Sequence, residues 1–159
     1  MQTTQALSDF DPNVLAAANI NPETGLATDY LNHFNEVAML IGMVSDMPDV
    51  LEEITDWQPL AYADHFMTGG FRDKELAVAA YDAAPDAVRM AFDSACTDVE
   101  FAIMDVQMRL QNGVPDGFDA ADEAAALYTL ISLAGGLVNG AEVEDLDTAD
   151  QASIDALFD

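Results

Sequence analysis

The sequence predicts an all-α protein: a single-domain, irregular helical bundle of five to seven helices, with short helices capping two or three long ones. Three observations carry the prediction. Apolar residues recur at three- and four-residue steps through most of the chain, while strict apolar–polar alternation is scarce. Proline, glycine and short acidic residues punctuate the edges of these periodic segments. A chain of 159 residues that is 51% hydrophobic suits one domain with a real core.

The elements follow in order. Residues 1–24 read as a loosely ordered N-terminal segment, apart from a short helix in "DPNVLAAANI" with Asp11 as cap and Pro12 at its first position. "NPETG" is a turn. The helical domain spans 25–139. Its first helix runs from about Leu26 to Ser45, with Tyr30, Phe34, Val37, Ile41 and Val44 as the core stripe. "SDMPD" interrupts it, and Pro48 opens a short acidic helix through about Ile54. Another short helix starts at Pro59 and ends at "TGG", where Gly69 or Gly70 supplies a left-handed stop. Asp73 caps the helix in "KELAVAAYDAA".

The longest helix runs from about Pro85 to Asn112 and is closed by Gly113. One stripe is Val88, Phe92, Ala95, Val99, Ile103, Val106 and Leu110. A second, Phe101, Met104 and Met108, lies on another face, and Asp86, Asp93, Glu100 and Gln107 repeat every seven residues. That pattern predicts a central helix covered on most sides, with one narrow wet edge. The last body helix is about Ala120 to Val138, where Gly135 and Gly136 serve either close packing or a hinge. Residues 140–159 form an acidic tail with a short amphipathic helix.

The charge narrows the function classes. Thirty acids stand against four bases, a net charge of −26, and all four bases (Arg72, Lys74, Arg89, Arg109) lie between residues 72 and 109. Such a surface repels phosphates, so neither direct nucleic-acid binding nor binding to anionic membranes is expected. The charge fits solubility in a salty environment, steering of a basic partner, or imitation of nucleic acid. No stretch approaches the roughly 20 apolar residues of a membrane span. "MQTTQALSDF" has no secretory pattern. The lone Cys96 reads as a small buried hydrophobe. A cytoplasmic protein is expected, and no cofactor.

Two clusters are candidate sites. Asp29, His33 and Glu36 share one helix face at i, i+4 and i+7, and His65 follows Asp64 in "YADHF". Two histidines with carboxylates from two helices have the ligand chemistry of a mononuclear metal site. The alternative is structural: a histidine bonded to a neighbouring carboxylate at the core boundary. Trp57, Tyr62, Phe66, Phe71 and Tyr81 gather in the short-helix region beside Arg72 and Lys74. They read either as packing that docks the short helices or as a groove for an anionic ligand or acidic partner. Phosphate loops and nucleophile elbows are missing from the sequence.

The tail "TADQASIDALFD" places Ile154, Leu157 and Phe158 at i, i+3 and i+4, with Thr148 or Asp147 available as cap. A helix this short needs a surface, its own or a partner's. The stretch "DQASIDALFD" resembles the peptide "SQAEIDALL" of the bacterial flagellar motor switch protein. Gln151, Ala152, Ile154, Asp155, Ala156 and Leu157 match, while Asp150, Ser153 and Phe158 replace Ser, Glu and Leu. In that family the peptide binds the phosphorylated chemotaxis response regulator. The resemblance implies binding of a receiver domain, with Gln151, Ile154, Asp155, Leu157 and Phe158 as contacts. It covers the tail alone and sits at the opposite end of the chain from the family's copy. A chemotaxis phosphatase also joins a helical body to such a peptide, but its Asp-x-x-x-Gln pattern occurs here only at Asp147 and Gln151. The body resembles small bacterial helical proteins and implies no activity.

The sequence thus points to a non-enzymatic, regulatory protein-binding protein. The competing expectation is a metal- or small-molecule-binding enzyme built on Asp29, His33, Glu36 and His65. Nucleic-acid mimicry is the third.

Overall fold

The computed structural model describes residues 6–70 and 72–140, and these form an all-α bundle with no strand among them. Seven α-helices follow in order: α1 Pro12–Ala17, α2 Asn32–Met43, α3 Leu51–Asp56, α4 Tyr62–Thr68, α5 Lys74–Ala83, α6 Asp86–Arg109 and α7 Ala120–Val138. Single 3₁₀ turns at Leu7–Asp9, Thr28–Leu31 and Pro48–Val50 add to them. Helix α7 packs against both α2 and α6, and these three build the centre. The predicted stripe of α2 is buried throughout, at Tyr30, Phe34, Val37, Ile41 and Val44. Where α2 crosses α7, Gly42 lets Ala124 approach; a Cβ on Gly42 would stand 3.3 Å from that of Ala124.

The local chemistry explains the boundaries. Asp11 accepts a hydrogen bond from the Asn13 amide at 2.8 Å, and Asp119 from the Asp122 amide at 3.0 Å, so each N-terminus has a side-chain cap. The segment predicted as one helix from Leu26 is a 3₁₀ turn leading into α2 at Asn32. Asp73 occupies the cap position of α5 but makes no capping hydrogen bond. The stop after α4 is not left-handed: Gly69 is extended, with φ −82° and ψ 174°. Gly113 does take the left-handed region, with φ 109°. Helix α7 runs unbroken through Gly135 and Gly136, so neither forms a hinge. A Cβ at Gly135 would meet Leu31 at an ordinary 3.6 Å.

Two expectations are corrected here. Residues 6–24 are not a loose lead-in: Leu15, Ala18 and Ile20 are core residues. Thr24 is buried, and its hydroxyl donates to the Val138 carbonyl at 2.8 Å. That bond satisfies a carbonyl left open at the end of α7. Gly25 (φ 73°) completes the turn; a Cβ there would lie 2.5 Å from the Ala80 carbonyl oxygen. Helix α7, in turn, has the length and mean hydropathy (1.2) of a membrane span, which no stretch was expected to reach. A core helix passes the same test, and Leu127, Ile131, Ala134 and Leu137 of α7 are buried in the bundle. The tail residues 141–159 lie outside the described residues.

Candidate functional sites

The aromatic region is a clamp on a loop. Residues 57–61, between α3 and α4, are not helical, so their backbone carbonyls need partners from elsewhere. Side chains supply them. Gln107 of α6 donates to the carbonyls of Ile54 (2.9 Å) and Trp57 (2.8 Å). The His33 Nε2 meets the Gln58 carbonyl at 2.7 Å, and Tyr30 donates to the Leu60 carbonyl at 2.6 Å. Trp57 returns a hydrogen bond from its indole to the His33 carbonyl at 3.1 Å and stacks on the His33 ring at 4.7 Å. Because a carbonyl only accepts, His33 Nε2 must carry its hydrogen.

The residues of the predicted ligand groove do not share one cleft: Trp57 lines one cleft with His33, and Arg72 another with His65. Trp57, Tyr62 and Phe66 are buried; only Arg72 of that set is exposed. Phe71 lies outside the described residues. Tyr62 sits at the centre of the interlock, stacked on Tyr81 at 4.4 Å, tilted against Phe66 at 4.8 Å, and accepting from the Ala27 amide at 2.9 Å. Burial pushes the hydroxyls of Tyr30, Tyr62 and Tyr81 well above their ordinary pKa, so all three are neutral at physiological pH; Tyr30 and Tyr81 donate and Tyr62 accepts. Burial raises the Cys96 thiol likewise, which keeps it an inert core residue, as its sequence context indicates.

The four residues expected to bind metal are split. Among the described residues, no three His, Cys, Asp or Glu side chains come close enough to hold an ion. His33 spends Nε2 on the Gln58 carbonyl, and it lines a shallow cleft with Glu36, Glu53 and Asp56. His65 turns to Asp29 instead, with Nε2 2.9 Å from Oδ2. The two imidazoles stand 6.5 Å apart, centre to centre.

The Asp29–His65 pair does line a cleft, of about 510 Å³, with Asn19, Gly69, Gly70, Arg72 and Asp73 around it. A carboxylate accepts, so Nε2 of His65 carries the hydrogen and Nδ1 is left with a lone pair in the neutral ring. Nδ1 makes no hydrogen bond among the described residues, yet no buried side-chain nitrogen there lacks a partner, so Nδ1 is open to solvent. The edges of Tyr30 and Phe66, at 5.5 and 4.9 Å, hold the ring in place. An imidazole oriented by a carboxylate is a general-base arrangement, and Arg72 supplies a cation beside it. Asn19 forms part of the wall in the left-handed region, φ 63°, which asparagine tolerates better than most residues.

Arg89 and Arg109 are spent within the fold. Arg89 pairs with Asp86 at 2.7 Å, and Arg109 joins Asp105 (3.0 Å) and Glu123 (2.7 Å, through both guanidinium nitrogens). Neither Arg72 nor Lys74 has an ion pair among the described residues.

The second stripe of α6 overturns its prediction. Phe101 is 65% exposed, Met104 43% and Met108 64%, and Met90 on the same side is 68% exposed. Of the heptad positions, Glu100 and Gln107 are partly buried, while Asp86 and Asp93 are exposed. Gln107 holds the loop, and Asp93 accepts from the Tyr81 hydroxyl at 2.7 Å. Burial raises the Glu100 carboxyl above the usual range, against a smaller lowering by His33. Sequence reading missed Gln107 as a clamp; its one signal was membership of a polar row beside a buried stripe.

Comparison with protein families, curated proteins and solved structures finds no match for the chain.

Proposed function

We propose that the chain is a regulatory protein-binding protein whose tail captures a receiver domain through Ile154, Leu157 and Phe158, with Gln151 and Asp155 beside them. The resemblance to the motor-switch peptide motivates this reading. One observation on the body supports it: the described residues hold a core of their own. Buried residues run from Leu15 to Val138, and among the described residues no buried side-chain polar atom lacks a partner. The experiment is a titration of a chemotaxis receiver domain, unmodified and beryllofluoride-activated, into the full chain and into a chain ending at residue 146. The expected result is tighter binding in the activated state, lost on truncation, with an unchanged melting temperature. No binding by the full chain, or a melting temperature several degrees lower on truncation, overturns it.

A second reading rests on the Asp29–His65 bond at the cleft: a small-molecule enzyme in which His65 is the base, Asp29 orients it and Arg72 holds an anionic group. The geometry favours this trio over the set that included His33 and Glu36. Titration with acetate and with inorganic phosphate, followed on the His65 ring by NMR, is the check. Saturable shifts that vanish in Arg72→Ala support it; ring signals that move with neither anion remove it.

A further inference from the structure

The exposed side of α6 has no task in the monomer. Met90, Phe101, Met104 and Met108 follow at 0, 11, 14 and 18 residues, which is three, four and five helical turns on. They therefore fall on one line about 27 Å long, opposite the buried stripe of Phe92, Cys96, Val99, Ile103 and Val106. Ser94 and Thr97 fill the gap between Met90 and Phe101 with small side chains. Apart from Ala87, the other apolar residues of the helix are buried or half-buried, so the large exposed apolar side chains of α6 all lie on this one row. Methionine and phenylalanine suit such a surface, because the thioether chain adapts its shape to a partner.

Charge selects the occupant. Asp86 and Asp93 flank the strip on one side, Asp98 and Asp105 on the other, and all four are exposed. A second copy, also carrying −26, would set carboxylates against carboxylates. The chain's own tail has the same fault, since "TADQASIDALFD" holds three aspartates and no base. A helix with an apolar face bordered by lysine or arginine matches both features. We propose that the outer face of α6 is a docking site for a basic amphipathic helix of another protein, with Phe101, Met104 and Met108 as its anchors. This site is separate from the tail and stands whether or not the tail binds a receiver domain.

The test uses three synthetic peptides of equal length: an amphipathic helix with lysine flanks, the same apolar spacing with glutamate flanks, and a lysine-rich peptide with no apolar face. Fluorescence anisotropy measures binding to the full chain and to the variants F101S, M108S and, as a control on a different exposed methionine, M47S. Only the basic amphipathic peptide binds. F101S and M108S each weaken it about tenfold or more, the loss typical of a buried apolar anchor. M47S binds as the parent does, and all variants melt like the parent. The proposal is overturned if the acidic peptide binds equally, if the lysine-rich peptide binds as well, or if F101S binds normally. It is also overturned if light scattering shows a dimer that F101S dissociates, or if ending the chain at residue 146 raises affinity, since each names a different occupant.

Discussion

Along one edge of α6 stand Asp93, Glu100 and Gln107; on the side turned away from the core stand Met90, Phe101, Met104 and Met108. By residue type the first row belongs in water and the second in the interior. The fold departs from this: Glu100 and Gln107 are partly buried, and the apolar row is exposed. Gln107 reaches two carbonyls of the loop after α3, and Asp93 holds Tyr81, while Phe101 and Met108 face solvent. The difference shows what decides burial here. A non-helical loop brings carbonyls that must be satisfied, so it draws polar side chains to its contact. An apolar row is buried only where another element is available to cover it, and α2, α3 and α7 already occupy the sides of α6 that they contact.

The comparison breaks first at Gln107. Gln107→Ala removes two hydrogen bonds and leaves the Ile54 and Trp57 carbonyls in a half-buried site. The expected loss is about 2 kcal/mol. For a domain of this size that corresponds to roughly 4–8 °C in Tm, read by circular dichroism. Gln107→Glu keeps the shape but sets an acceptor against two acceptors, so it is expected to lose at least as much. The serine variants of Phe101 and Met108 sharpen the contrast, since their expected change in stability is within about 0.5 kcal/mol. Equal losses on the two rows would show that the apolar row is covered after all.

Helix number, the core stripes and most boundaries were legible from the sequence, because each rests on a local rule. Asp11 with Pro12 opens α1, the stripe from Tyr30 to Val44 is buried, and Ala120–Val138 appears with the predicted bounds. The second stripe of α6 was not legible. Periodicity places Phe101, Met104 and Met108 on one face but says nothing of whether a neighbour lies against it. The candidate metal set failed for a related reason. Spacing sets Asp29, His33 and Glu36 near one another on their segment, yet His33 is turned to the Gln58 carbonyl and only Asp29 reaches His65. Which partner each imidazole finds depends on a loop and a helix over 20 residues away. Asn19, in the wall of the same cleft, gave only the weak signal that asparagine tolerates positive φ.

A smaller effect sets Glu100 of the polar row against Glu123 of α7. The Glu100 carboxyl is raised by burial in the folded state, whereas the Glu123 carboxyl is held below the usual range by its hydrogen bonds with Arg109. Their linkage to stability therefore has opposite sign. A raised carboxyl adds stability below its unfolded pKa, about 4–4.5, and that contribution is lost as pH rises through the folded value. A lowered carboxyl adds stability above the unfolded pKa and loses it as pH falls through the folded value. Glu100→Gln is thus expected to stabilise the protein at pH 7, with the gain shrinking toward pH 4. Glu123→Gln is expected to destabilise it at pH 7, with the loss shrinking as the pH drops. Urea midpoints measured for both variants and the parent across this range provide the check. Because 30 acids titrate in the same window, only the differences between variant and parent are informative. A Glu100→Gln gain that stays constant from pH 4 to pH 7 would mean that the carboxylate at position 100 is solvated like any surface acid. The partly buried polar edge of α6 would then reduce to Gln107.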